Sequence, residues 1–197
     1  MKVSDILHES MNNVDLNSAY ELFTQSYNKH TGNTWSKEKF MSRARNWKFY
    51  GDTHGFIAVR PQHSGMIKLV GTAGHPRSVM KGMRELMNEH TPVWGMMSGE
   101  LIPLAKKFGM IQPPAIVIKM LMKVIPSSVW GDVPISVNKD GSITFQYSDV
   151  GDATKFFIAT PEYFKHLLTS LSHNSKAQQL PKYALTKITN IIQGLIS

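Results

Sequence analysis

Apolar positions recur with a helical period over Leu16 to Thr31, where Leu16, Ala19, Tyr20, Phe23 and Tyr27 share a face. His30-Thr31-Gly32-Asn33 supplies the stop. Ser36 is placed to cap a second helix that presents Phe40, Ala44 and Trp47 on one side. Lys39 stands at its third position, where a reciprocal capping box would carry Glu or Gln. The period then shortens. Gly55 to Arg60 and Met66 to Val70 read as two strands around a Pro61–Gly65 turn, which predicts an antiparallel pair. Gly71-Thr72-Ala73-Gly74-His75 is expected as a loop. Pro76 suits the first turn of a helix, because the N–H it lacks would have had no partner there. Val79, Met80, Met83, Leu86 and Met87 form that helix's apolar stripe.

The second half continues in the same idiom. Val93 to Met97 reads as a short buried strand, and Glu100 to Phe108 as a helix closed by Gly109. Pro114 to Ile125 predicts a helix with Ile116, Val117, Met120, Leu121 and Val124 on one side and Lys119 and Lys123 on another. Pro134 to Val137 and Ser142 to Tyr147 alternate around Asn138-Lys139-Asp140-Gly141, a hairpin whose Asp-Gly step supplies positive φ. A strand over Lys155 to Ala159, a helix over Pro161 to Leu171, a polar linker from His173 to Gln179 and an amphipathic helix over Pro181 to Ile196 complete the chain. The last helix aligns Ala184, Ile188, Ile191, Ile192 and Leu195. The fold class is α/β (α+β), with a mixed, mainly antiparallel sheet flanked by helices.

Composition narrows the chemistry. Apolar residues make up 42% of the 197 positions, enough for a real core, and charged residues only 18%. The chain has no Cys, which excludes disulfides, thiolate nucleophiles and thiolate-bound metals. Its net charge is +8, which favours anionic partners such as nucleic acid or phosphates, or serves solubility alone. The bases cluster: Lys37, Lys39, Arg43, Arg45 and Lys48 stand against a single acid, Glu38, between Trp35 and Lys48. That cluster, interleaved with Trp35, Phe40, Trp47, Phe49 and Tyr50, has the makings of a nucleic-acid surface. Phe40 and Trp47 fit the buried helix face, however, so a solvated basic face is the default expectation. Pro113 to Pro126 is apolar but is interrupted by Lys119 and Lys123, and it falls short of the roughly 18 residues of a membrane span. The first residues lack the long apolar core of a secretory signal. The chain is therefore expected in a cytoplasm and not secreted. The histidines show no pair at helical ligand spacing, so no metal is expected. No Gly-x-Ser-x-Gly elbow occurs.

Lys68-Leu69-Val70-Gly71-Thr72-Ala73, followed by Gly74 and a helix, resembles the Gln/Arg-x-x-Gly-x-Gly/Ala pyrophosphate loop of the N-acyltransferase (GNAT) superfamily. The order of elements from Leu16 to Met110 resembles that family as well. So does the helix ending Ala105-Lys106-Lys107-Phe108-Gly109-Met110. Closest in character are the GNAT-like proteins of tailed bacteriophages, including internal virion proteins, a resemblance that implies the inside of a phage particle as the alternative location. Leu7-His8-Glu9-Ser10 also resembles a Leu-x-Glu site at which some large phages trim capsid-targeted proteins.

The resemblance implies a GNAT-like domain over 16–148 with a helical insertion near 114–125, a tail over 1–15, and a C-terminal α/β extension over 149–197. Within that domain the 135–147 hairpin would supply the strand pair the family has after its Gly-hydrophobic step. The implied cofactor is acetyl-CoA or another acyl-CoA. Lys68, Val70, Gly71, Thr72, Ala73, Gly74, Arg77 and Lys81 would hold it, with the helix start and its free N–H groups facing the pyrophosphate. Backbone N–H groups near Met96–Ser98 would polarise the thioester, and the acyl group would pass to an amine by direct attack.

Glu100 and Ser98 are the catalytic candidates, with His54, His63 and His75 as further titratable groups near the sheet. Glu100 also fits as a first-turn acid complementing a helix dipole. Where the family commonly has a Tyr acid one turn before the Gly, this chain has Ala105, which has no proton to give. Three readings stay open: an N-acyltransferase, a non-catalytic GNAT-fold phage or virion part that binds protein or nucleic acid, and a nucleic-acid-binding module, which a steep fall of affinity with salt would identify.

Overall fold

The computed structural model describes residues 14–31, 35–62, 65–125, 133–147 and 151–197. His63 and the Leu7–Ser10 motif lie outside them. The chain divides into two compact units, Met1–Thr91 and Pro92–Ser197. Every strand pairing within either unit is antiparallel, and both units are mixed α/β.

In the first unit, α1 (Leu16–Thr31) and α2 (Lys37–Ala44) precede three strands, β1 (Lys48–Asp52), β2 (Gly55–Pro61) and β3 (Ile67–Gly74), and then α3 (Pro76–Asn88). Asp15 opens α1, its Oδ2 accepting from the amides of Asn17 and Ser18 at 3.1 Å each. Ser36 caps α2 as the sequence predicts, its Oγ accepting from the Lys39 amide at 3.2 Å. The strands form a meander in the order β1-β2-β3. Helix α1 packs on β3, and α3 packs on β1 and β2. Phe23, Phe40, Phe49, Phe56, Ala58 and Ala73 are buried in one apolar cluster that joins α1 and α2 to the sheet.

Two sequence expectations are corrected in this unit. The second helix ends at Ala44, and Lys48–Asp52 is a strand. Trp47 lies between the two elements, and pairing with Gly55–Val59 makes Lys48–Asp52, with Phe49 and Tyr50, a strand. The 71–74 segment is not a loop. It extends β3, with Gly71, Thr72, Ala73 and Gly74 facing Ala58, Ile57, Phe56 and Gly55 across the ladder. Its small residues hide strand character from a propensity reading, whereas the ladder accommodates them with a register shift between Ala58 and Val59.

The second unit contains β4 (Val93–Met97), a short 3-10 turn (Gly99–Leu101), α4 (Ile102–Lys107), α5 (Ala115–Val124), β5 (Val133–Val137), β6 (Ser142–Tyr147), β7 (Gly151–Ala159), α6 (Pro161–Leu171), α7 (Ser175–Gln178) and α8 (Lys182–Ile196). The strand order is β4-β7-β6-β5. The hairpin predicted at 134–147 is present, and Gly141 has φ +82° in its turn. The strand beside β4 is not in that hairpin. It is β7, which pairs with β4 on one edge and β6 on the other, so a segment assigned on sequence to the C-terminal extension lies inside the sheet. The 173–179 segment contains the one-turn helix α7, capped by Asn174. Ile116 is exposed rather than on the buried face of α5, where Ile118 takes its place.

Thr160 ties this unit together. Its Oγ1 accepts from the amides of Val93 (3.1 Å) and Tyr163 (3.3 Å), so one hydroxyl anchors the start of β4 and caps α6. Above it Trp94 stacks on Phe157, with ring centroids 5.6 Å apart and planes 20° apart, and Tyr163 packs against both rings. Burial raises the Tyr163 hydroxyl pKa well above that of a free phenol. Helix α8 lies against α5 and α6 through its buried Ile188 and Ile192.

Candidate functional site

The junction of β3 and α3 carries most of the residues singled out by sequence, and the fold separates their roles. Val70 and Ala73 belong to the apolar cluster. Lys68 is buried on β3 opposite Arg60, and Thr72 is half-buried. Gly74 is dictated by the backbone: its φ is +90°, and a Cβ there would stand 2.3 Å from the His54 carbonyl oxygen. That close crossing is fastened by the His75 amide, which donates to the same oxygen at 2.7 Å. Ser26 of α1 reaches across and accepts from the Gly74 amide at 3.0 Å. Gly71 differs from Gly74. A Cβ at Gly71 would meet nothing within 4 Å, so packing does not require its glycine.

The start of α3 is closed by its own cap. Pro76 has no N–H. The Arg77 amide donates to His75 Nδ1 at 3.2 Å, and the amides of Ser78 and Val79 donate to the His75 carbonyl at 3.0 and 3.1 Å. His75 Nδ1 thus acts as an acceptor, which places the proton of a neutral ring on Nε2. The first-turn amides expected to face an anion are engaged by this residue.

A carboxylate also stands at this helix end. Asp52, the last residue of β1, accepts from the His54 amide at 2.9 Å and from the Ser78 hydroxyl, and Lys81 Nζ lies 4.0 Å from its Oδ2. These contacts form a clasp at the start of α3 and, the His54 amide first, hold the Asp52 pKa below the ordinary 3.8. Sequence reasoning missed Asp52. An acid two residues before a turn amide and next to Gly51 is the signal that could have found it. Arg77 and Lys81 are exposed on α3, and Arg77 has no ion-pair partner among the described residues.

A depressed carboxylate pKa contributes stability above its unfolded value and loses it as pH falls through the lower folded value. The advantage of the wild type over Asp52→Asn is therefore expected in full above the ordinary 3.8 and to shrink on acidification below it. Urea melts of both proteins across acid pH check this. A gap that does not change with pH would remove Asp52 from the clasp.

In the second unit, Ser98 caps the 3-10 turn through its carbonyl, which accepts from the Leu101 amide at 3.1 Å. Its side chain makes no capping bond, and Glu100 is exposed in the same turn. Met96 and Met97 pair with Phe157 and Phe156 of β7. Ala105 is 1% exposed, and its carbonyl accepts from the amides of Phe108 and Met110 at 3.0 and 3.1 Å, closing α4 before Gly109 at φ +77°. Ala105 is thus packed into the C-terminal cap of the helix.

Among the described residues no group of three or more His, Asp or Glu side chains is arranged to hold a metal, and no helix is long and apolar enough to cross a membrane. The chain matches no family model, no curated protein and no solved structure.

Proposed function

We propose that the chain is an acyl-CoA-binding protein of N-acyltransferase type, with its pyrophosphate contact at Gly71 rather than at the tip of α3. The observation that carries this reading is the open space at Gly71. It is a glycine that neither φ nor packing requires, beside a register shift in β3, five residues before a helix that exposes Arg77 and Lys81. Absence of a side chain lets a phosphate approach the backbone, and the two bases would pair with it. Lys81 would exchange its long contact with Asp52 for the phosphate. The closed cap of α3 argues for this displaced position, because its first-turn amides already have acceptors.

Calorimetry of acetyl-CoA with the wild type and Gly71→Glu tests the reading. Binding is expected in the micromolar range and is expected to fall at least about tenfold in Gly71→Glu, through steric and like-charge exclusion. No heat with folded wild type, or equal affinity in the variant, would overturn the Gly71 contact.

A second reading is favoured by Ala105. Its position has no acidic proton and is sealed in a helix cap, so a binding or structural part without transfer, in a phage particle among other settings, fits it better than an enzyme does. Acetyl-CoA binding with no thiol release over a panel of amines would support that reading, and turnover dependent on Glu100 would support the transferase.

A further inference from the structure

The basic face of α2 is independent of the coenzyme site. Lys37, Arg43 and Arg45 are exposed, and Lys39 and Lys48 are half-exposed, Lys48 at the start of β1. Lys37, Arg43, Arg45 and Lys48 have no ion-pair partner among the described residues. Arg43 lies over the Trp35 ring, its Cζ 4.5 Å from the centroid, and Lys39 Nζ lies 5.6 Å from the same centroid. The ring is in turn braced from below by Phe23 and Trp47, at 5.4 and 6.3 Å. Two like charges are thus collected over one indole anchored in the core. A guanidinium held over an aromatic ring keeps its donor edge for a phosphate, and it offers a flat surface on which an unpaired base can stack.

From this juxtaposition we propose that the α2 face, centred on Arg43 over Trp35, binds single-stranded nucleic acid through its phosphates and base stacking, without sequence readout. An acidic protein surface would satisfy the charges but would make no use of the stacked guanidinium. An anionic membrane would call for apolar side chains beside the bases, whereas Phe40 and Ala44 on this helix are buried.

The test is fluorescence anisotropy of a labelled thymidine oligonucleotide of about 20 nucleotides, longer than one site, against salt concentration. Expected is binding at low salt that falls steeply as salt rises. The triple variant Lys37→Gln/Arg43→Gln/Arg45→Gln should bind at least about tenfold more weakly and lower the log–log salt slope by about 2, since each lost contact to a single strand removes about 0.7. The matched variant Lys106→Gln/Lys107→Gln/Lys165→Gln removes equal charge from exposed positions of the other unit and should stay near wild type. The triple should also show the wild-type response to coenzyme A, which separates this face from the Gly71 reading. Equal weakening in both triples would reduce the effect to net charge and overturn the proposal. No oligonucleotide binding, tighter binding to a duplex, or binding to anionic vesicles alone would overturn it as well. If the triple melts below the wild type, Arg43→Gln alone carries the comparison against Lys106→Gln, with weaker binding and a slope lowered by about 0.7 expected for Arg43→Gln only.

Discussion

Phe40→Ala is expected to destabilise the first unit by about 3–5 kcal/mol, the range for deleting a fully buried aromatic ring. Phe40 has 0% exposure and meets Tyr20, Phe23 and Trp47 at centroid distances of 5.5, 5.2 and 5.7 Å. Helix α2 has only eight residues, too few to persist on its own propensity. Its docking rests on Phe40 and Ala44, its two buried positions. Truncating the ring therefore removes both the burial and the support of the helix, and the Arg43–Trp35 stack should loosen with it. Denaturant melts followed by Trp fluorescence report both. Phe40→Leu, which keeps most of the volume, should lose less than about 1.5 kcal/mol if the neighbours repack. A Phe40→Ala loss below about 1 kcal/mol, the size of an ordinary substitution, would mean that α2 is not held by this ring.

The same residue shows why the elements of the chain were readable. Phe40 and Ala44 lie one turn apart behind a Ser cap, which marks the start and the buried side of α2, although Trp47 on the same stripe lies beyond its end. The hairpin at 134–147 was equally plain, since alternation and an Asp-Gly turn point the same way. The failures occurred where side chains carry little information. Gly71 to Gly74 has the composition of a loop and the backbone of a strand, because its place is set by the ladder to Gly55–Ala58 and not by propensity. The place of β7 beside β4 rests on long-range pairing, and nothing local in Lys155–Ala159 names its neighbours.

The candidate site was legible in its residues and not in its roles. Gly71 and Gly74 look alike in sequence, yet one is open and the other is forced by a positive φ and a crossing strand. His75 stands out in the sequence as a titratable group near the sheet, and its ring and carbonyl take the amides that a phosphate would need. Hydrogen-bond ownership is a tertiary fact. A Pro at the start of a helix announces the helix but does not say what its first turn is already bonded to. The basic cluster was visible from charge alone, whereas the placement of Arg43 over Trp35 required the fold.

Gly82→Ala is expected to destabilise the first unit by about 2 kcal/mol or more, although alanine is the better helix former by about 1 kcal/mol. A Cβ at Gly82 would stand 2.3 Å from the Tyr50 carbonyl oxygen and 2.7 Å from its carbon. Both are backbone atoms of β1, so no rotamer change relieves the overlap and the helix itself must move. Moving α3 outward strains two bonds that register it on β1: the Tyr50 hydroxyl donating to Glu89 Oε1 at 2.8 Å, and the Gly51 amide donating to Glu85 Oε2 at 3.2 Å. The Asp52 clasp at the start of α3 would be strained with them. Gly194→Ala in α8 is the internal comparison, because a Cβ there meets nothing within 4 Å and should add up to about 1 kcal/mol of helix propensity. Opposite signs for the two substitutions in parallel urea melts are the expected result. A Gly82→Ala protein as stable as the wild type would show that α3 does not sit on β1 at this distance, and the geometry of the Asp52 clasp would fall with it.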